Sequence, residues 1–147
     1  MKSLLETTTY EEILARIDAL KDTSERQWGK MSVGQMVWHS QFPLKLAIEN
    51  KNRSKKGNAL IKFFFKKSLY NDKPWRKNLP TSPVMKTKET KDFETERTIL
   101  KSLVTQFHAQ KVRTEWQPHP IFGTFTPEQW GQLEYKHLDH HLKQFGV

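Results

Sequence analysis

The feature that most limits what this chain can fold into is a local pattern used three times. A Ser or Thr is followed three residues later by Glu or Gln, and then by apolar residues at intervals of three and four. Thr8-Thr9-Tyr10-Glu11 leads into Ile13, Leu14, Ile17 and Leu20. Ser32-Val33-Gly34-Gln35 leads into Met36, His39, Pro43 and Leu46 or Ala47. Thr126-Pro127-Glu128-Gln129 leads into Trp130, Leu133, His137 and His141. Such boxes satisfy the free amides at a helix start, and the spacing that follows buries one helical face. A further helix is expected from about Lys91 to His108, carrying Phe93, Ile99, Leu100, Leu103, Val104 and Phe107. Phe122 to Phe125 is too short to make a strand. Pro43 removes a backbone donor inside the second helix, so a kink or a break is expected there. The first helix should end between Lys21 and Ser24, and the fourth near Phe145.

Between the second and third helices lies a long connection, residues 51–90. Asn, Lys, Ser and Gly open it; Leu60, Ile61, Phe64, Phe65, Ser68 and Leu69 outline one face of a short helix; Pro74, Pro80 and Pro83 then interrupt regular structure. A connection of that length lets the flanking helices run parallel. The expected fold is therefore all-α: a single-domain four-helix bundle over residues 1–147, up-down-down-up, with a crossover that carries a short extra helix. At 147 residues the chain can bury one core, and its 12% aromatic content adds burial that the 35% hydrophobic content understates.

Composition also removes chemistries. With no cysteine there can be no disulfide, no thiolate ligand and no cysteine nucleophile. The longest apolar run, Phe63-Phe64-Phe65, is far too short to span a bilayer. The start, Met1-Lys2-Ser3-Leu4-Leu5, lacks a signal-peptide apolar region, so a cytoplasmic location is the expectation. The net charge of +9 is concentrated in the connection, from Lys51 to Lys77. No nucleic-acid-reading motif accompanies it, so a solvated surface is expected rather than a nucleic-acid groove or a membrane contact.

The six histidines carry the chemistry. On a wheel at about 100° per residue, Trp130, Leu133, His137, His141 and Gln144 share one inward stripe of the fourth helix. Gln132, Lys136, Asp139 and Lys143 fall on the wet side, and His140 on the boundary. Histidines four apart stack with Cβ atoms about 5–6 Å apart and can converge on one ion. His39, inward on the second helix, is the candidate third ligand. A lone histidine on an apolar face is more often a satisfied core residue; two at ligand spacing plus an inward third shift the balance toward a metal. Three neutral imidazoles leave coordination positions open, which suits a reactive ion. Zinc, nickel, iron and manganese all accept such ligands. Leu138 follows His137, so this is not a His-Glu-x-x-His protease.

Glu134, at the edge of the inward stripe, either orients a ligand or acts as a general base, or is an ordinary surface carboxylate. His119 reads as a turn residue that could approach the site mouth, and His108 as a cation suited to a helix C-terminus. Trp28, Trp38 and Trp130 read as core or pocket wall. The Leu60–Leu69 helix reads as a lid packed over the bundle, and Lys66, Lys67 or Arg76 could then attract an anionic thiol or acid.

His137-Leu138-Asp139-His140-His141-Leu142-Lys143-Gln144 resembles the C-terminal helix motif of the DinB/YfiT-like superfamily. His39, within Gln35-Met36-Val37-Trp38-His39, matches that group's second-helix ligand, and Gln144 matches a Gln that commonly follows the pair. Lys77-Asn78-Leu79-Pro80-Thr81 and His119-Pro120-Ile121-Phe122-Gly123, followed by Thr126 and Trp130, resemble signatures of an uncharacterised DinB-like subfamily. The resemblance covers nearly the whole chain, though the N-terminal helix matches in pattern only. It implies a metal-binding four-helix bundle with His39, His137 and His141 as ligands of one divalent ion. Relatives of this kind include thiol-dependent transferases or isomerases and metal-dependent hydrolases. The expectation is an enzyme acting on a small molecule, with a low-molecular-weight thiol as one option and a homodimer compatible with an exposed aromatic patch. The alternatives are a non-catalytic ligand- or partner-binding bundle with a vestigial site, and a basic nucleic-acid-binding protein.

Overall fold

The computed structural model describes residues 1–51 and 65–147. Among them are four α-helices: α1 (Thr7–Ala19), α2 (Val33–Glu49), α3 (Phe93–His108) and α4 (Pro127–Gln144). Short 3-10 turns occur at Lys66–Leu69, Pro83–Met85 and Ala109–Val112. No strand occurs among the described residues; His119 and Gly123 form one isolated bridge. No described helix is long and apolar enough to cross a membrane. Most of the short helix expected from Leu60 to Leu69 lies outside the described residues.

Two of the expected boxes form in full. Ser32 accepts from the Gln35 amide while Gln35 accepts from that of Ser32, and Thr126 and Gln129 do the same. Pro127 follows Thr126 at the first helical position, where a missing N–H costs nothing. The box expected at Thr8 does not form. α1 starts one residue earlier with Glu6 as its cap residue, whose carboxylate accepts from the Thr9 hydroxyl at 3.1 Å. α1 ends at Ala19 rather than between Lys21 and Ser24, because Leu20 turns to extended backbone. α3 starts at Phe93, after Asp92 accepts from the Thr95 amide. Pro43 does not break α2, which continues to Glu49.

All four helices feed one core. Ile13 and Ile17 come from α1, Met36, Val37 and Leu44 from α2, Leu100, Val104 and Phe107 from α3, and Leu138 and Leu142 from α4. α2 packs on α3 and on α4, and α1 on the same two helices. Each such side chain contributes about 1.5–3 kcal/mol of burial, so truncating fully buried Phe107 to Ala should cost about 3–5 kcal/mol. Gly34, in the first turn of α2, marks a close approach: a Cβ there would lie 2.2 Å from the Lys91 carbonyl. His108 ends α3 as expected. Its Nδ1 donates to the Leu4 carbonyl at 3.1 Å, and its ring stacks on Tyr10, tying the N-terminal segment down.

The described part of the crossover lies over α4; most of the segment read as a lid, Leu60 to Leu69, lies outside the described residues. What holds it is a residue the wheel placed in water. Lys136 is only 6% exposed, and its ammonium donates at 2.7 Å to the Ser68 carbonyl, the Asn71 carbonyl and Asn71 Oδ1. A helix face is wet only if nothing covers it, and here the crossover does. Asp139 is likewise not free in solvent, since Arg16 of α1 and Lys143 bind it at 2.9 and 2.8 Å.

Candidate metal centre

The α4 register brings His137 and His141 inward one turn apart, and the packing of α2 on α4 brings His39 to them. The three imidazoles are 3%, 6% and 8% exposed for His39, His137 and His141. One ring nitrogen of each lies within 4.8 Å of the others. The ring centroids of His39 and His141, and of His137 and His141, are 4.7 Å apart. His39 Nε2 and His137 Nε2 are 3.3 Å apart. Two nitrogens bound to one ion at about 2.1 Å, at angles between about 90° and 110°, would sit about 3.0–3.4 Å apart.

Two of the three tautomers are fixed by partners that can only accept. His39 Nδ1 is 2.9 Å from the Met85 carbonyl, so that nitrogen carries the proton and Nε2 carries the lone pair. His141 Nδ1 is 2.9 Å from Gln144 Oε1. The orientation of that amide is set at its other end, where Gln144 Nε2 donates to the Trp28 carbonyl at 2.8 Å. Gln144 therefore accepts from His141, and the lone pair of His141 is again on Nε2. Gly29 makes room for this amide, because a Cβ there would come within 2.4 Å of Gln144 Nε2, and its φ of 82° suits glycine.

All three imidazoles are held neutral, the ligand form. Burial pushes His141 down to about 3, helped by the neighbouring His39 and opposed by Gln144. Burial also lowers His39, against the Met85 hydrogen bond, and it lowers His137 well below the ordinary range, reinforced by His141 and His39.

Glu134 is not the surface carboxylate that the sequence left open: it is 0% exposed. Burial pushes its carboxyl well above the usual range, which favours the neutral acid over the carboxylate. Among the described residues, both its oxygens lack a hydrogen-bond partner, as do Trp130 Nε1 and His137 Nδ1. Residues 130, 134 and 137 form one line along the inward face of α4. Buried polar groups without partners are rare, and these three sit at successive turns of the face that carries His137.

His119 is the turn residue expected. Its Nδ1 accepts from the Ile121 and Phe122 amides, and its ring lies against Phe122, Phe125 and Trp130. Trp130 is core, and Trp28 is a pocket wall beside His140. Trp75, which the sequence did not single out, covers the centre, with its ring 6.0 Å from His137 and 5.8 Å from His140. The Met85 carbonyl was also missed, since a backbone acceptor leaves no trace in the residue type. Three clustered imidazoles with free lone pairs can hold a divalent cation.

The chain matches the family described as "Protein of unknown function (DUF1569)" over residues 1–146. No curated protein and no solved structure matches it. With the match running through every helix and all three imidazoles, the chain belongs to the DUF1569 family.

Proposed function

We propose that this protein is a metal-dependent enzyme of the DinB-like type, an up-down-down-up bundle with one divalent ion on His39, His137 and His141. The observation that carries this reading is the pair of locked tautomers. Met85 and Gln144 hold the protons of two imidazoles on Nδ1, so their Nε2 lone pairs face the third ring, that of His39 lying 3.3 Å from His137 Nε2. A plain apolar core gains nothing from such an arrangement; a cation does. Zinc, nickel, iron or manganese would all suit it. Such an ion supplies Lewis acidity, activating a bound group at neutral pH.

The chain's own residues do the rest. Met85 and Gln144 orient two ligands. For His137 to ligate through Nε2, its proton must sit on Nδ1, and Glu134, one turn earlier on the same face, is the acidic group for that side of the ring. We assign Glu134 the role of orienting His137 from that side, its carboxyl oxygen accepting from the Nδ1–H once the ion is bound. Trp75 and the crossover keep bulk water off the centre. The chemistry is transfer or hydrolysis on a small molecule, with a thiol as candidate nucleophile and neither nucleic acid nor membrane as partner.

The test is elemental analysis of protein purified without a histidine tag. The expected result is one divalent ion per chain, lost in His137→Ala with the helical circular-dichroism signal retained. Metal-free wild-type protein that cannot be loaded, or full occupancy in the variant, overturns the reading.

A further inference from the structure

Trp75, whose ring lies 6.0 Å from that of His137, also lines a cavity of about 170 Å³. Trp28, Trp75, Lys77, Asp139, His140 and Lys143 line it. For scale, an apolar cavity of about 150 Å³ accepts a benzene ring. Two half-buried tryptophans flank His140, with ring centroids 5.7 and 5.8 Å from it. Flat aromatic walls at a concave site recognise flat ligands, and both rings are half-exposed here, Trp75 being held from behind by its Nε1 bond to the Ser68 carbonyl.

The charge in the cavity is one-sided. Asp139 is its acidic residue, and both carboxylate oxygens are already taken, one by Arg16 and the other by Lys143. Lys77 has no carboxylate among the described residues; its ammonium lies 4.7 Å from the centre of the Trp28 ring. The His140 ring has no hydrogen bond to a described residue. An unpaired ammonium and an unused imidazole beside two ring faces select a planar anion and disfavour a cation.

We propose that this cavity binds a planar organic carboxylate the size of a single ring. Its carboxylate pairs with Lys77, and its flat body lies against Trp28 and Trp75. Because Trp75 also contacts His137, a ligand seated there is one side chain from the three imidazoles. This deepens the proposed function by giving its small-molecule partner a chemical class, and it rests on that reading only for the ligand's role as partner. Binding in the cavity does not require the ion.

The experiment titrates tryptophan fluorescence with benzoate, benzamide and acetate, on metal-loaded and chelator-treated protein. Benzoate should saturate. Benzamide, which lacks the charge, and acetate, which lacks the ring, should each bind about tenfold more weakly or worse. Lys77→Met should weaken benzoate about tenfold and leave benzamide and metal content unchanged. His137→Ala should lose metal and keep benzoate, which separates this proposal from the metal assignment. Non-saturating benzoate, equal affinity for benzoate and benzamide, indifference to Lys77→Met, or loss of benzoate with the metal would each overturn it.

Discussion

Glu134 presents a carboxyl whose two oxygens are both buried and, among the described residues, unpartnered, whereas buried Gln41, Lys136 and Gln144 all have hydrogen-bond partners. Stability alone would not keep it. A buried polar group without a partner costs about 1–3 kcal/mol, and leucine has a similar volume. Glu134→Leu should therefore raise the stability of the metal-free protein by about that amount in urea unfolding, while weakening metal binding. A destabilised variant would mean that the carboxyl has a structural partner. Gln144→Leu tests the other contact: without its oxygen the His141 tautomer is no longer held. Metal affinity, read by chelator competition, should fall about 10–100-fold. Unchanged affinity would remove Gln144 from the site. The sequence showed the three imidazoles because periodicity alone puts 137 and 141 on one face. It left Glu134 open, because a wheel places a boundary residue without knowing what packs outside it.

At the scale of elements, the crossover decides which faces are inside. Lys136 holds it to α4 through three acceptors, and burial lowers the lysine's pKa without removing that role. Lys136→Met should free residues 66–85, with faster amide exchange and new proteolytic cuts there while α1 to α4 stay protected. Unchanged protection of that segment would show that Lys136 is not the clamp. Helix existence was readable from capping and spacing, and two of three boxes formed as read. Ends were less readable. In Thr7-Thr8-Thr9 each threonine is a plausible cap, and the structure passes over all three for Glu6. Pro43 was read as a kink or a break; α2 runs on past it unbroken, with Leu44 and Ala47 buried beyond the proline. That burial offsets the missing hydrogen bond.

For the whole molecule, the buried and half-buried histidines set the acid limit. His119 is pushed down to about 4 and His141 to about 3, both mainly by burial, while His39, His137 and His140 are lowered too. In the unfolded chain each takes its proton near 6.5; in the fold each does so at lower pH. Between those limits the unfolded state binds more protons, so stability falls as pH falls. Glu134 runs the opposite way, since its raised pKa gives a contribution present in acid and lost as pH rises. One carboxyl does not offset five imidazoles. The urea midpoint of chelator-treated protein should drop from pH 7 to pH 5, and a flat or rising profile would contradict the neutral, buried assignment. The all-α class was legible in the sequence, but how the basic connection packs was not. Residues spread from Ser68 to Met85 meet α2 and α4 through backbone carbonyls, which no pattern of side chains encodes.

The most direct test of the metal centre is X-ray absorption on untagged protein loaded with one equivalent of zinc. The account predicts a first shell near 2.0–2.1 Å with the scattering signature of three imidazoles, reduced by one in His39→Ala. Fewer than three imidazoles in the wild type, or an unchanged spectrum in that variant, would contradict it.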